Sequence, residues 1–217
     1  MTGATYYSYI NLLNYLTGFA AMPSTPTPYA ALFTAVGTDA GTGFTEVSGN
    51  GYARSNSLGA WSAASGSGPS TISNSTGINF PTATGAWTGI VAFGIFDALT
   101  SGHLLFWDWI GNDPWFPFNC TLASPGVFTA PGITAGSTPT LVNTAKVVFT
   151  AQYGGGFPSG ITQSTQYTVS GLSSDSFNVS TNTTSVGSGF VRQVTPVTIS
   201  NGQTARFNMS NLTLTAT

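Results

Sequence analysis

Apolar residues recur at helical spacing in one place along this chain. Tyr6, Tyr9, Ile10, Leu13 and Leu16 fall on a single stripe, with Ser8, Asn11 and Asn14 elsewhere. This predicts a helix over 5–17, with Thr5 at its start and Gly18 at its end. Two partners are open for the stripe: the protein's own sheet, or a neighbouring subunit. A Pro-rich linker follows at 23–28. Beyond it the pattern is strand and turn. Strands are expected at 29–34, 51–56, 72–80 and 89–96, the last apolar on both faces and therefore central. A turn at 97–102 returns the chain as 103–110, the hairpin partner of 89–96.

After Gly111 the pattern changes. Residues 112–118 gather Trp115, Phe116 and Phe118 into a short aromatic loop, and 123–140 read as a Gly/Pro/Thr linker or long loop. Short strands are expected at 146–152, 166–170 and 177–180. Near the end, 194–200 and 205–215 alternate apolar and polar residues around Asn201-Gly202, a hairpin turn signal. The predicted class is all-β. The expected architecture is a jelly-roll-like β-sandwich, 1–111 plus 191–217, with one short N-terminal helix. A smaller β module, 112–190, is inserted into it.

Composition sharpens this picture. The chain has 217 residues, of which 41% are hydrophobic and 13% aromatic, enough for a real core. Only 5% are charged, against roughly a quarter in an average soluble domain. The surface must be covered by Thr, Ser, Asn and Gly, which suits faces buried against neighbours. Net charge is −2, and Arg54, Lys146, Arg192 and Arg206 are scattered. Nucleic-acid binding, which needs clustered cations, is not expected. The single cysteine, Cys120, excludes an intrachain disulfide. No apolar run approaches the roughly 20 residues of a membrane span. The N-terminus does not read as a secretory signal, because Asn11 and Asn14 interrupt its apolar stretch. Asn-x-Ser/Thr triplets begin at Asn74, Asn119, Asn178, Asn182, Asn208 and Asn211, as chance provides in so Ser/Thr/Asn-rich a chain.

The same scarcity limits chemistry. Glu46 and Arg54 flank a Gly-Asn-Gly turn, where they are expected to form a structural pair or to touch the next subunit. His103 follows Asp97 by six residues, but no Gly-x-Ser-x-Gly elbow supplies a nucleophile. One His and one Cys, far apart, do not make a metal site. Gly154–Gly156 lacks the Lys-Ser/Thr of a phosphate loop. Asp108 and Asp113 offer the best enzymatic pattern, a carboxylate pair for glycoside hydrolysis. Trp107, Trp109 and Trp115 would stack on sugar in that case. The simpler reading gives Trp107, Trp109, Trp115, Phe116 and Phe118 to the sandwich base or to a subunit interface, together with Tyr6, Ile10 and Leu13 of the helix.

Several blocks are more distinctive than composition alone. They are PYAALFT at 28–34, TEVSGNGYAR at 45–54, and GIFDA at 94–98 followed by SGHLLF at 101–106. In this order, behind a short N-terminal helix, they resemble a family of bacteriophage virion proteins described as tail-fibre or tail-associated. The resemblance covers roughly 5–110 and 194–215. The chain departs from shorter relatives by about 80 residues, within which KVVFT at 146–150 and DSFNVS at 175–180 resemble a β module of phage structural proteins. The resemblance implies no cofactor and no catalytic residues. It implies a structural subunit on the capsid surface or in the tail and fibre, made in the host cytoplasm. Its partners would be other virion proteins and further copies of itself, a trimer being the expected oligomer. The alternatives are a host-surface glycan binder with the Trp cluster as platform, and a glycan depolymerase.

Overall fold

The computed structural model describes residues 3–23, 26–66, 70–111, 114–136, 140–151 and 156–216. They divide into two compact units, Met1–Ile110 with Pro196–Thr217, and Gly111–Thr195.

The first unit is built on the strand Tyr29–Ala35, whose residues Ala30 to Phe33 are all buried. Both faces of this strand are covered, which is why it reads as an unbroken apolar run. It pairs antiparallel with Ala92–Phe96, from Tyr29 opposite Phe96 to Phe33 opposite Ala92. Ala92–Phe96 pairs in turn with Leu104–Trp109, and that strand with Gly3–Ala4. Thr45–Glu46 and Ser55–Asn56 complete a six-stranded antiparallel sheet on the other side of Tyr29–Ala35.

The segment expected as one strand over 89–96 is two. Trp87–Ile90 and Ala92–Phe96 belong to different sheets. The two are separated at Val91, and within the first strand Gly89 lies in the left-handed region at φ +74°, where the register with Val197–Ile199 is irregular.

The closing segment also departs from expectation. A turn does form at 200–203, where the Gln203 amide donates to the Ser200 carbonyl. Its arms do not pair with each other. Val197–Ile199 pairs with Trp87–Ile90, Thr204–Phe207 with Ile78–Thr82, and Thr213–Ala216 with Ser70–Ser73. The turn signal is local, whereas the partner is chosen by burial. Ala205 and Leu212 share one core with Ile78, Phe80, Trp87 and Ile90, and with Ala30, Leu32 and Ile95 of the large sheet.

Asn74 locks two of these ladders together. It is fully buried, and its amide nitrogen donates to the carbonyls of Asn208 (2.7 Å) and Thr76 (2.8 Å). Its amide oxygen accepts from the Leu212 backbone at 2.9 Å. A triplet that reads as a glycan acceptor is thus an interior clamp. Asn74→Leu strands the buried Leu212 amide and the part-buried carbonyls of Thr76 and Asn208, at about 1 kcal/mol for the first and less for each of the others. The expected loss is about 2 kcal/mol, read as a lower urea midpoint with an unchanged m-value.

The second unit is a closed six-stranded barrel. Its strands run Phe116–Cys120, Val127–Thr129, Ser176–Val179, Tyr167–Ser170, Lys146–Ala151 and Gly187–Val194, which closes back on the first. Every neighbouring pair is antiparallel. The interior is aromatic, with Phe118, Phe128, Phe149 and Phe177 in ring contact at centroid distances of 4.7–6.4 Å. Closure matters in so uncharged a chain. Charged gatekeepers that protect open edges are scarce here, and a barrel leaves no edge to protect.

Two expectations are corrected in this unit. The stretch 123–140, read as a linker, holds the strand Val127–Thr129 and the short helix Pro131–Gly136. Phe128 and Ile133, both fully buried, are the anchors that its Gly/Pro/Thr composition concealed. The strand Gly187–Val194 runs across the boundary expected at 190–191, because Phe116–Cys120 and Lys146–Ala151 between them pair with its whole length. Cys120 lies inside, and burial pushes its thiol pKa up, which keeps it protonated and poorly nucleophilic.

Candidate assembly surface

The N-terminal helix, Tyr6–Leu16, is held by its start. The Thr5 amide donates to the Leu105 carbonyl at 3.0 Å and the Tyr6 amide to the Asp39 carbonyl at 2.8 Å. The Thr5 hydroxyl donates to Leu104 and the Ser8 hydroxyl to Leu105, both backbone carbonyls of the adjoining strand. The Tyr7 ring lies flat on the His103 imidazole, 3.9 Å between centroids and 2° between planes. Asp97 fixes that imidazole through Nδ1 at 3.0 Å and accepts the His103 amide at 2.7 Å.

These contacts decide which face of the helix meets the protein body. Tyr7, Ser8, Asn11 and Asn14, spaced along one face, are half-buried. The apolar stripe points outward: Ile10 is 58% exposed, Leu13 59% and Leu16 68%. Tyr6, Tyr9, Leu12 and Tyr15 are exposed as well, and Phe19 just beyond the helix is 83% exposed. Of the two partners open for the stripe, the protein's own sheet does not cover it. A signal for this lay in the polar face. A solvent-facing stripe normally carries Lys or Glu, and this one carries only uncharged groups, of which the Ser8 hydroxyl bonds to the Leu105 carbonyl of the adjoining strand and the Asn11 amide to the Tyr7 carbonyl of the helix itself.

The expected aromatic interface residues separate. Trp107 and Trp109 are buried inside the first unit, Trp107 donating from its indole to Asp39 at 3.1 Å. Phe118 is buried in the barrel core. Their side chains are filled by contacts within the chain, so they offer neither a subunit contact nor a sugar platform. Trp115 and Phe116 are half-buried, with the Arg192 guanidinium 5.7 Å from the Trp115 ring centre. Of the carboxylate pair, Asp108 accepts the Trp109 amide at 2.8 Å, and Asp113 lies outside the described residues.

Glu46 and Arg54 are brought together. Arg54 meets the Glu46 carboxylate with two nitrogens, Nη2 at 2.8 Å and Nε at 3.0 Å. Its remaining arm, Nη1, donates to the carbonyls of Ala98 (2.9 Å) and Ser101 (2.7 Å), and the guanidinium lies 3.4 Å over the Phe96 ring. Tyr52, which sequence reasoning passed over, donates its hydroxyl to Glu46 and accepts the Leu32 amide, both at 2.9 Å. Burial pushes the Tyr52 phenol pKa far up, so it remains a donor to the carboxylate. Every polar group in this cluster is engaged within the chain, and its arrangement fixes the 97–102 turn.

Among the described residues no group of three or more His, Cys, Asp or Glu side chains could hold a metal ion. No described helix is long and apolar enough to cross a membrane.

The family described as Podophage GP4 fiber I protein gp80 matches residues 3–112, just over half of the chain. The chain belongs to this phage fibre-protein family. It is a structural component of the virion's tail and fibre apparatus, and fibre proteins associate with other virion proteins. The family is not a known enzyme family. No curated protein matches the chain. The matched region holds the exposed helix and the Glu46–Arg54 cluster, and it stops where the barrel unit of this fibre protein begins.

The barrel has its own distinctive end. Chain entry before Phe116 and exit after Val194 lie at one end, since Phe116 pairs with Val191. At the other end the loops 121–126, 156–166 and 180–186 are tied to one another. The Thr183 hydroxyl donates to the Thr121 carbonyl at 2.6 Å, and the Ser124 hydroxyl to Asn182 at 2.7 Å. The Thr184 amide donates to the Ser159 carbonyl at 3.0 Å, and the Ser159 amide to the Ser185 hydroxyl at 2.9 Å. These three loops contain no charged residue.

Proposed function

We propose that this fibre protein is a non-enzymatic, homo-oligomeric subunit, a trimer, that joins the virion by burying its N-terminal helix against neighbours. One observation carries the reading: an apolar, charge-free helix with its stripe turned outward. Tyr6, Tyr9, Ile10, Leu12, Leu13, Tyr15, Leu16 and Phe19 are all exposed on this one short segment. Large apolar side chains gathered on a surface in this way mark a contact surface. Closed symmetry is the norm for such oligomers. The first unit is further read as a sandwich, which the shared core of the large sheet and the three ladders supports. The two units are read as separate domains, an insert within a host. Gold-labelled antibody against the barrel tests the placement on intact particles. Label confined to the fibres is expected, and a regular pattern over the capsid would overturn it.

A second reading, host-surface glycan binding, is favoured by the far end of the barrel and no longer by the Trp cluster. Three tied, uncharged, hydroxyl-rich loops form a preorganised polar face, the chemistry that neutral sugar hydroxyls would meet. A glycan array probed with the intact oligomer decides it: absence of binding removes this reading. The depolymerase reading rests on Asp108 with Asp113, and unchanged plaque haloes from an Asp108→Asn, Asp113→Asn phage would remove it.

A further inference from the structure

The N-terminal helix has little of its own to hold it. Among the described residues none of Tyr6–Leu16 is buried, no side-chain bond caps the helix start, and its first and last turns carry no favourable charge. A helix of 11 residues without these aids is too short to be stable in water. The protein body must therefore supply the stability through the inward face. Asn11 on that face bonds within the helix. The backbone bonds of Thr5 and Tyr6 fix where the chain enters, and Ser8 adds one bond to the Leu105 carbonyl. The broad contact is the Tyr7 ring lying flat on His103.

We infer that Asp97 and His103 form a latch. They are positioning residues, which act through Tyr7 to keep the helix folded on the body with its stripe outward. This rests on the reading of the helix as the surface that joins the particle, and it names what presents that surface. The His103 side chain is 59% exposed, and an imidazole so exposed would turn freely if nothing held it. Asp97, itself only 19% exposed, holds it by accepting the His103 amide with one carboxylate oxygen and meeting Nδ1 with the other. A carboxylate on Nδ1 sets both the tautomer and the plane of the ring. The turn that carries Asp97 is fixed in its turn. Gly102 lies at φ +73°, and a Cβ there would collide with the Asp97 carboxylate and with Ala98. Arg54 grips the same turn through the carbonyls of Ala98 and Ser101. A line of held groups thus runs from the Glu46–Arg54 cluster through the turn and the imidazole to the helix.

Amide hydrogen exchange on the purified full chain tests the latch. The Ile10→Glu, Leu13→Glu variant keeps neighbours off the stripe, so that contacts with the body alone hold the helix. In that background the amides of 10–16 are expected to stay protected. Adding His103→Ala is expected to speed their exchange about tenfold or more, while the barrel strand Lys146–Ala151 keeps its rate. His103→Phe, which keeps a flat ring for Tyr7 but loses the Asp97 bond, is expected to restore part of the protection. His103→Leu, which supplies apolar bulk without a ring, is expected to restore none. Tyr7→Ala should match His103→Ala, and the two together should do no more than either alone. Helix amides already unprotected before His103 is changed, protection that survives His103→Ala, or His103→Leu protecting as well as His103→Phe each overturns the latch. Failure of the reading it rests on would show in particles instead, as wild-type incorporation of the stripe variant, whatever the exchange rates.

Discussion

Phe149→Ala is expected to melt the barrel while the first unit stays folded. Phe149 is fully buried and touches four other rings: Phe118, Phe128, Phe177 and Tyr167. Removing it leaves a cavity in a closed, small core that cannot collapse without breaking a ladder. Phe→Ala at such a site costs about 4 kcal/mol, a large share of the roughly 5–15 kcal/mol that holds a domain together. For a unit of this size that loss lowers the melting temperature by about 20 °C. Scanning calorimetry of the full chain should show two transitions, one shifted down and one unmoved. A single transition that shifts as a whole would contradict the reading of the units as separate domains.

Arg54→Met should have the next largest effect, centred in the first unit. The Arg54 side chain is 9% exposed and its partner Glu46 26%. One guanidinium bonds the Glu46 carboxylate and two carbonyls of the 97–102 turn, and covers Phe96. Methionine restores the packing on Phe96 and none of the bonds. A mostly buried carboxylate is then left with the Tyr52 hydroxyl as its described partner. Breaking a buried pair from one side costs about 3–5 kcal/mol, and the partial exposure of Glu46 places this case near the lower end, about 3 kcal/mol. Arg54→Lys should recover little of it, because an ammonium cannot span the carboxylate and the turn together. Denaturant midpoints measure both. A midpoint for Arg54→Met within error of the wild type would contradict the structural role.

The parts of this fold that were legible in the sequence are those written in local pattern. The helix stripe gave 5–17 against an observed Tyr6–Leu16. The continuous apolar run gave the buried strand Tyr29–Ala35, and the turn at 97–102 placed its flanking strands opposite each other. The TEVSGNGYAR block marked a site where one arginine organises a turn more than 40 residues away. Features decided at long range were not legible. Residues 197–216 carry the alternation of a hairpin, yet pair with 70–90, because only the folded core shows which apolar faces they must cover. Phe128 and Ile133 sit singly among Gly, Pro and Thr, where no periodicity reveals them. Periodicity also located the apolar face of the helix without saying whether anything covers it. That depended on Tyr7 and Ser8 finding His103 and the Leu105 carbonyl, about a hundred positions along the chain.

The scarcity of charge takes on a structural meaning from these details. Glu46 and Arg54 neutralise each other, and Asp97 and His103 hold the surface that receives the helix. The faces left open, the outward stripe and the tied barrel loops, carry no charge at all. Repulsion between copies, which keeps ordinary monomers apart, is absent where copies or neighbours would meet.

The central claim is that the outward helix stripe joins this protein to the particle. The direct measurement is the amount of the protein in purified virions, by quantitative mass spectrometry, for phage carrying Ile10→Glu with Leu13→Glu. Val186→Ser, on an exposed barrel loop, serves as the control. Burying two unpaired carboxylates in an interface should reduce incorporation by about tenfold or more, while the control stays at the wild-type level. Incorporation of the double variant at the wild-type level would contradict the account.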